Sequence, residues 1–375
     1  MWLKTAKRMP TLVAGALGLL GAGGASAEYG LNLPRGVTPI SQEAYDLHML
    51  ILWVCVAIGV VVFGAIFISV LKHRKSRGVE PAQFHESTTV EIVWTTIPFL
   101  ILVGMAIPAT KALVKMEDTS NSDLSIKVTG YQWKWGYDYL DEGISFISSL
   151  ATPRSQIYNK EAKGEHYLLE VDNPLVVPVN KKVRLLITAN DVIHAWWVPA
   201  LGMKKDAIPG FVNEMWFKID TPGTYRGQCA ELCGKDHGFM PIVVVAKNEA
   251  DYQQWVAEQK AAASADAAAA GRDWGLDELM ARGEKVYNAN CAACHQANGM
   301  GVPGAFPAIK GSPVATGPKA VHLEVVMNGR PGTAMAAFAG QLNDIDIAAV
   351  VTYQRNAWGN DTGDLVQPSE VKAAR

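Results

Sequence analysis

The chain has 375 residues, 49% of them hydrophobic and 19% charged, with a formal net charge of −2. That length admits two or three domains, and the hydrophobic share is slightly high for a wholly soluble protein. The near-neutral balance offers no basic footprint for nucleic acid, so no nucleic-acid partner is expected.

In chain order, Lys4, Lys7 and Arg8 precede an apolar run over 12–22, and Ala25-Ser-Ala27 has the small-x-small form of a signal-peptidase site. Residues 1–27 therefore read as a cleaved signal peptide, against the alternative of a third membrane anchor, which so short and Gly/Ala-rich a run disfavours. Residues 47–71 and 92–114 each exceed the ~20 apolar residues that cross a hydrocarbon core, which predicts a transmembrane hairpin within 28–120. Between them, Lys72-His-Arg-Lys-Ser-Arg77 carries positive charge. Such a loop stays in the cytoplasm, so everything after Val114 is expected on the periplasmic or extracellular side of a bacterial inner membrane.

From 121 to 247 the pattern is short runs rich in Val, Ile, Tyr and Trp, broken by Asn-Pro and Pro-Gly. It predicts an all-β sandwich or Greek-key barrel with strands over 125–129, 167–171, 183–188, 215–219 and 241–245. Within it, Gly227-Gln-Cys-Ala-Glu-Leu-Cys-Gly-Lys-Asp-His-Gly-Phe-Met240 places two thiols, an imidazole and a thioether on one loop. Soft sulfur and imidazole donors suit copper. Cys229, Cys233, His237 and Met240 need one more imidazole, and His194 in Asp191-Val-Ile-His-Ala-Trp-Trp is the choice, because it follows a strand among aromatics whereas His166 lies among charges. Two bridging thiolates can hold two coppers that share one electron. A Cys229–Cys233 disulfide and a Cys2His2 zinc site remain alternatives, although Met240 speaks against zinc.

Residues 248–275 read as a helix running into an Ala-rich tether. The last unit, 276–375, predicts a small all-α domain with helices over 276–290, 320–328 and 343–356. Its Cys291-Ala-Ala-Cys-His295 has the spacing that attaches a c-type haem through two thioethers and supplies a proximal imidazole. Of the five cysteines only Cys55, within the first membrane helix, lies outside these two motifs.

With the loop, Asn190 to Gly210, Tyr131-Gln-Trp-Lys-Trp-Gly-Tyr-Asp-Tyr139 and Glu91-Ile-Val-Trp-Thr-Thr-Ile-Pro98 in view, the sequence closely resembles subunit II of the haem–copper cytochrome c oxidases. The resemblance implies a membrane hairpin followed by a cupredoxin-like barrel that holds a dinuclear CuA centre. Its ligands here would be His194, Cys229, Glu231 through its carbonyl, Cys233, His237 and Met240. It also implies that the Glu231 carboxylate serves a magnesium ion at the boundary with subunit I, that Trp133 receives electrons above CuA, and that Glu91 lies at the mouth of a proton pathway. Lys134 departs from the pattern, standing where relatives often have an aromatic. Asp138, Asp191 and Asp206 match acidic positions that guide a basic cytochrome c.

The C-terminal spacing resembles class I cytochromes c, in which a downstream Met completes the iron's ligands; Met335 has that loop context, although Ala336 stands where Pro is frequent. Met300 is too near the attachment motif and Met327 falls on a predicted helix. Together the resemblances imply subunit II of a respiratory oxidase with a fused cytochrome c. Electrons would pass from haem c through CuA to subunit I, where oxygen is reduced to water with proton translocation. Subunit I, subunit III and cytochrome c or another periplasmic donor are the expected partners. The competing readings are a nitrogen-oxide reductase with a CuA domain and a membrane-anchored electron carrier or copper-handling protein.

Overall fold

Long uninterrupted apolar runs can satisfy their backbone only as helices when they leave water, and the chain begins its described structure with two. A computed structural model describes residues 32–78, 80 and 83–375; the expected signal peptide, 1–27, lies outside the described residues. Helix α1 (Pro39–His73) and helix α2 (Thr88–Glu117) both outrun the apolar segments that predict them. The surplus in α1 is N-terminal: Thr38 accepts from the Ser41 N–H, Ser41 closes a capping box, and Pro39 opens the first turn. Trp53, Phe63, Phe67, Trp94 and Phe99 point outward with 61–64% of their surface exposed. Hydrocarbon stabilises such a surface and water does not, which makes the hairpin a membrane anchor.

The hairpin is fastened to the next domain at both ends. Val37 N–H donates to the Ala200 carbonyl at 2.9 Å and the Thr38 hydroxyl to the Leu201 carbonyl at 2.9 Å. Glu117, the last residue of α2, pairs with Lys205 at 3.0 Å.

Ten strands follow among the described residues: β1 (Leu124–Tyr131), β2 (Lys134–Tyr139), β3 (Ile144–Ser148), β4 (Leu175–Pro178), β5 (Val183–Ala189), β6 (His194–Val198), β7 (Met203–Ala207), β8 (Asn213–Phe217), β9 (Gly223–Cys229) and β10 (Pro241–Lys247). They form two five-stranded sheets, ordered β3-β2-β1-β5-β8 and β4-β10-β9-β6-β7. β1 with β5 and β4 with β10 run parallel, so each pair needs a long crossover rather than a hairpin. Ile126, Val128, Trp135, Leu185, Ile187, Trp196, Phe217 and Val244 fill the space between the sheets. The domain is the two-sheet sandwich that the strand pattern predicts, of the cupredoxin-like kind that the resemblance implies.

One expected strand is absent. Residues 167 and 168 lie in a turn, 169 and 170 are irregular, and Val171 makes a single bridge to Leu150. Leu168 has φ +62°, outside the extended region that a strand requires.

Helix α3 (Glu249–Ala269) continues without interruption through the Ala-rich stretch expected to be a tether. Its first half lies on the sandwich: Tyr252 and Val256 are buried, and the Trp255 ring stands 5.2 Å from Tyr139.

The C-terminal domain comprises α4 (Leu276–Asn290), α5 (Ala292–His295), α6 (Pro313–Thr316), α7 (Lys319–Asn328), α8 (Asp344–Asn356) and α9 (Pro368–Ala374). Helices α4 and α8 cross at Gly283, where an added Cβ would stand 2.1 Å from the Ala349 carbonyl oxygen. Only glycine permits that approach. Arg282 and Asp346 pair at 2.7 Å beside the crossing, and Leu279, Tyr287, Val326, Ile347 and Val350 form the core beneath it.

Candidate functional site

The segment from the end of β9 to the start of β10 carries five of the six expected copper donors, and β6 brings the sixth against it. Cys229 ends β9, Met240 immediately precedes β10, and His194 opens β6. The Cys229 and Cys233 sulfurs are 3.9 Å apart and both thiols are free. A disulfide would hold them near 2.05 Å, so that alternative does not describe this structure. Around the sulfurs stand His194 Nδ1, 3.9 Å from Cys229 Sγ, and His237 Nδ1, 3.4 Å from Cys233 Sγ. Met240 Sδ lies 3.4 Å from Cys233 Sγ, and the Glu231 carbonyl oxygen 3.3 Å from Cys229 Sγ. The structure thus gathers every expected donor. The Glu231 side chain is exposed at the rim.

The donor set is soft, converging and largely out of water. His194, Cys229, Cys233 and Met240 are buried. The hydrogen bond from Cys233, helped by His194, pulls the Cys229 thiol well below its usual pKa, while the same shared bond and burial push Cys233 up. One sulfur is therefore readily a thiolate. Burial works to lower the pKa of His194, but the Asp191 carboxylate at 2.8 Å from Nε2 and the neighbouring Cys229 outweigh it and raise the value. A carboxylate on the far nitrogen fixes the ring so that Nδ1 faces the sulfurs, the arrangement that orients metal-bound imidazoles. The ring is also packed tightly, since a Cβ at Gly130 would lie 2.8 Å from its Cδ2. These residues fit a copper site.

Trp133 and Gln132 both touch this loop. The Trp133 indole N–H donates to the Cys233 carbonyl at 3.2 Å and the Gln132 amide to the same oxygen at 2.8 Å. Gln132 also lines the second site, a cavity of about 520 Å³ walled by Cys291, Cys294, His295, Phe306, Ile309, Val326, Met335 and Phe338. The size and apolar walls are those of a cofactor pocket. The Pro307 carbonyl accepts from His295 Nδ1 at 2.8 Å, leaving Nε2 as the free ligand atom. His322 lines the cavity, is 4% exposed, and its Nδ1 lacks a hydrogen-bond partner among the described residues. A buried polar atom left so is costly, and a haem with its own polar groups fits such a wall. Met335 faces the same space, whereas Met300 is exposed and Met327 is buried on α7.

Glu91 is in the first turn of α2 and is not among the residues brought together. Sequence reasoning missed four contributors: Gln132, Asp191 as the partner of His194, Pro307 and His322. Only Asp191, three residues before His194, carried a local signal.

Between the two sites lies Lys134, 5% exposed, its pKa pushed down to about 8 by burial against the raising effects of Cys291, Asp191 and Asp172. Its ammonium donates to Asn290 Oδ1 at 2.8 Å.

Comparison with known proteins agrees with this layout. Residues 26–112 match the family model described as the cytochrome c oxidase subunit II transmembrane domain, 124–247 that of the subunit II periplasmic domain, and 278–353 that of cytochrome c oxidase, cbb3-type, subunit III. The cytochrome c oxidase subunit 2 of Cereibacter sphaeroides is 35% identical over 271 residues, which cover 66% of this chain and 89% of that one. A probable cytochrome c oxidase subunit 2 of Rickettsia bellii is 41% identical over 228 residues, covering 60% and 83%. Among solved structures, the periplasmic domain of subunit II of cytochrome oxidase from Bradyrhizobium japonicum matches at 46% identity and a TM-score of 0.34, over 38% of this chain and 96% of that one.

Proposed function

This chain belongs to the cytochrome c oxidase subunit II family and carries a C-terminal cytochrome c domain, and from that premise we propose that it relays single electrons to an oxygen-reducing, proton-translocating subunit I. Haem c would be held covalently by Cys291 and Cys294, with His295 and Met335 as axial ligands. A dinuclear copper centre would be held by His194, Cys229, the Glu231 carbonyl, Cys233, His237 and Met240. When bound, the two groups supply one-electron carriers, the copper pair spreading its change of charge over two metals and the His/Met haem having a raised potential. The observation that carries the reading is the convergence of two sulfurs 3.9 Å apart with two imidazoles, a thioether and a carbonyl around them.

The chain's own residues act by orientation and exclusion of water. Asp191 holds His194, the Pro307 carbonyl holds His295, and burial of both cysteine sulfurs keeps competing ligands away. Trp133 would receive electrons above the copper loop, the exposed Glu231 carboxylate would hold magnesium at the boundary with subunit I, and Glu91 would admit protons. Subunits I and III are the membrane partners, with cytochrome c or another periplasmic donor feeding the relay. The domain plan is a signal peptide over 1–27, the anchor in 28–120, a periplasmic copper domain over 121–247, a connecting segment over 248–275 and the cytochrome over 276–375.

Electron paramagnetic resonance of the purified full chain, with copper and haem supplied, tests this. Hyperfine structure from one electron shared over two coppers is expected; a single-copper signal or none would sink the dinuclear reading.

A further inference from the structure

A lysine buried where a membrane-anchored β domain meets a cytochrome needs a reason, because removing an ammonium from water is costly unless it is paired. Lys134 opens β2, and its two direct partners come from the other domain. Asn290 Oδ1 accepts from its Nζ at 2.8 Å, and the Phe338 ring centroid lies 4.9 Å from it, within cation–π range. Asn290 ends α4 immediately before Cys291, and Phe338 lines the haem cavity. The ammonium thus grips both sides of the cytochrome domain's cofactor site.

The contacts around it form one zone. Lys235, within the copper loop, donates to the Ala293 carbonyl inside the Cys-Ala-Ala-Cys-His segment at 3.3 Å. Gln132 bonds the Cys233 carbonyl and lines the haem cavity, so a single side chain touches both sites. From the α3 side, the described chain offers a stiff arm: a 21-residue helix spans about 31 Å, and Asp266 near its end accepts from Asn343 of the cytochrome domain at 3.2 Å.

We propose that Lys134 is a positioning residue that seats the cytochrome domain, haem cavity foremost, on the copper loop of the same chain. The inference rests on the two-centre reading above and extends it. With the seat occupied, the surface around Gln132 and Lys134 is covered by the chain's own cytochrome. A soluble donor then delivers its electron to the cytochrome domain and not to the copper loop directly.

The test uses the full chain in detergent, with haem and copper loaded for the first arm. In the first arm, pulsed electron paramagnetic resonance measures the distribution of distances between haem iron and the copper pair. The unsubstituted chain and Lys134→Arg give a narrow distribution, and Lys134→Glu, which sets a carboxylate against the Asn290 oxygen and the Phe338 ring face, gives a broad one. The copper hyperfine pattern and haem absorption stay unchanged in all three.

The second arm needs no metal. Acetylation of Lys134 is compared with that of exposed Lys260 by mass spectrometry, and Asn290→Ala speeds labelling of Lys134 on the order of tenfold, the consequence of losing one hydrogen bond to a charged group. A narrow distribution in Lys134→Glu with both spectra intact overturns the seat and leaves the two-centre reading standing. Equal labelling of Lys134 and Lys260 in the unsubstituted chain overturns it whether or not copper is bound. Loss of the dinuclear signal from the unsubstituted chain, with Lys134 still protected, overturns the reading and not the seat.

Discussion

At the scale of single residues, the candidate copper loop depends on groups outside the proposed ligand set. Asp191 accepts from His194 Nε2 at 2.8 Å and from the Gln132 backbone N–H at 2.8 Å, so one carboxylate fixes an imidazole and the strand-to-loop corner beside Trp133. Asp191→Asn keeps the shape but removes the charge that makes the imidazole a strong donor. Changes of this kind lower metal affinity by roughly ten- to a hundredfold. Copper retention in a chelator titration should fall by that factor, with the fold intact by circular dichroism. Unchanged retention would mean that His194 does not hold metal. The same residue shows the limit of sequence reading. Asp191 matched an acidic position suited to guiding a partner, and its bond to His194 is visible only once β6 places the ring.

At the scale of elements, the sequence was legible where the pattern is local. Helix α4 runs over the predicted 276–290, opened by Asp277 and Glu278 in its first turn. β5 alternates buried and half-buried residues along its whole length, the period of a sandwich strand. β2, β7 and β9 went unread because Lys, Gly, Gln and Arg interrupt their apolar pattern, and β3, β4 and β6 because they are only four or five residues long; the order of all six comes from pairing across the sheets. Residues 167–171 had strand-like composition and lost to a left-handed turn at Leu168. The Cys-Ala-Ala-Cys-His motif, five residues long, could be read at once; the cavity wall could not, because it is assembled from α5, α6, α7, α8 and the loops between them.

That wall carries a pH dependence. His322 on α7 gives up water for one bond, 2.8 Å from Nε2 to Gln354 Oε1 on α8, and burial pushes its pKa down to about 4 from 6.5. Above 6.5 the ring is neutral in both folded and unfolded chains, and its titration takes nothing from stability. Between 6.5 and about 4 the unfolded chain takes up a proton that the native fold refuses, so stability is lost as pH falls, up to about 3 kcal/mol. Melting of the cytochrome domain in the full chain, followed in the haem absorption from pH 7.5 to 4, should show a steeper fall than the same titration of His322→Leu. Parallel curves would place the titration elsewhere.

At the scale of the whole molecule, the chain is a series of supports built outward from a membrane. The hairpin is bolted to the sandwich through Thr38 and Glu117, the sandwich carries α3 on Trp255, and Lys134 and Lys235 meet the cytochrome domain. Glu91 belongs to none of these contacts; it sits in the first turn of α2 with its N–H bonded to the Ser87 carbonyl at 3.0 Å. A carboxylate there favours the helix dipole in any case, so its presence alone does not argue for proton uptake. Glu91→Gln separates the roles, because Gln keeps the size and polarity and discards the exchangeable proton. In the assembled oxidase, oxygen consumption should slow severalfold while the copper centre is still reduced at its normal rate. Equal turnover would leave Glu91 with its part in the helix end and nothing more. A loss of both turnover and copper reduction would place the damage in the hairpin's support of the sandwich, since a proton-pathway defect acts downstream of electron arrival.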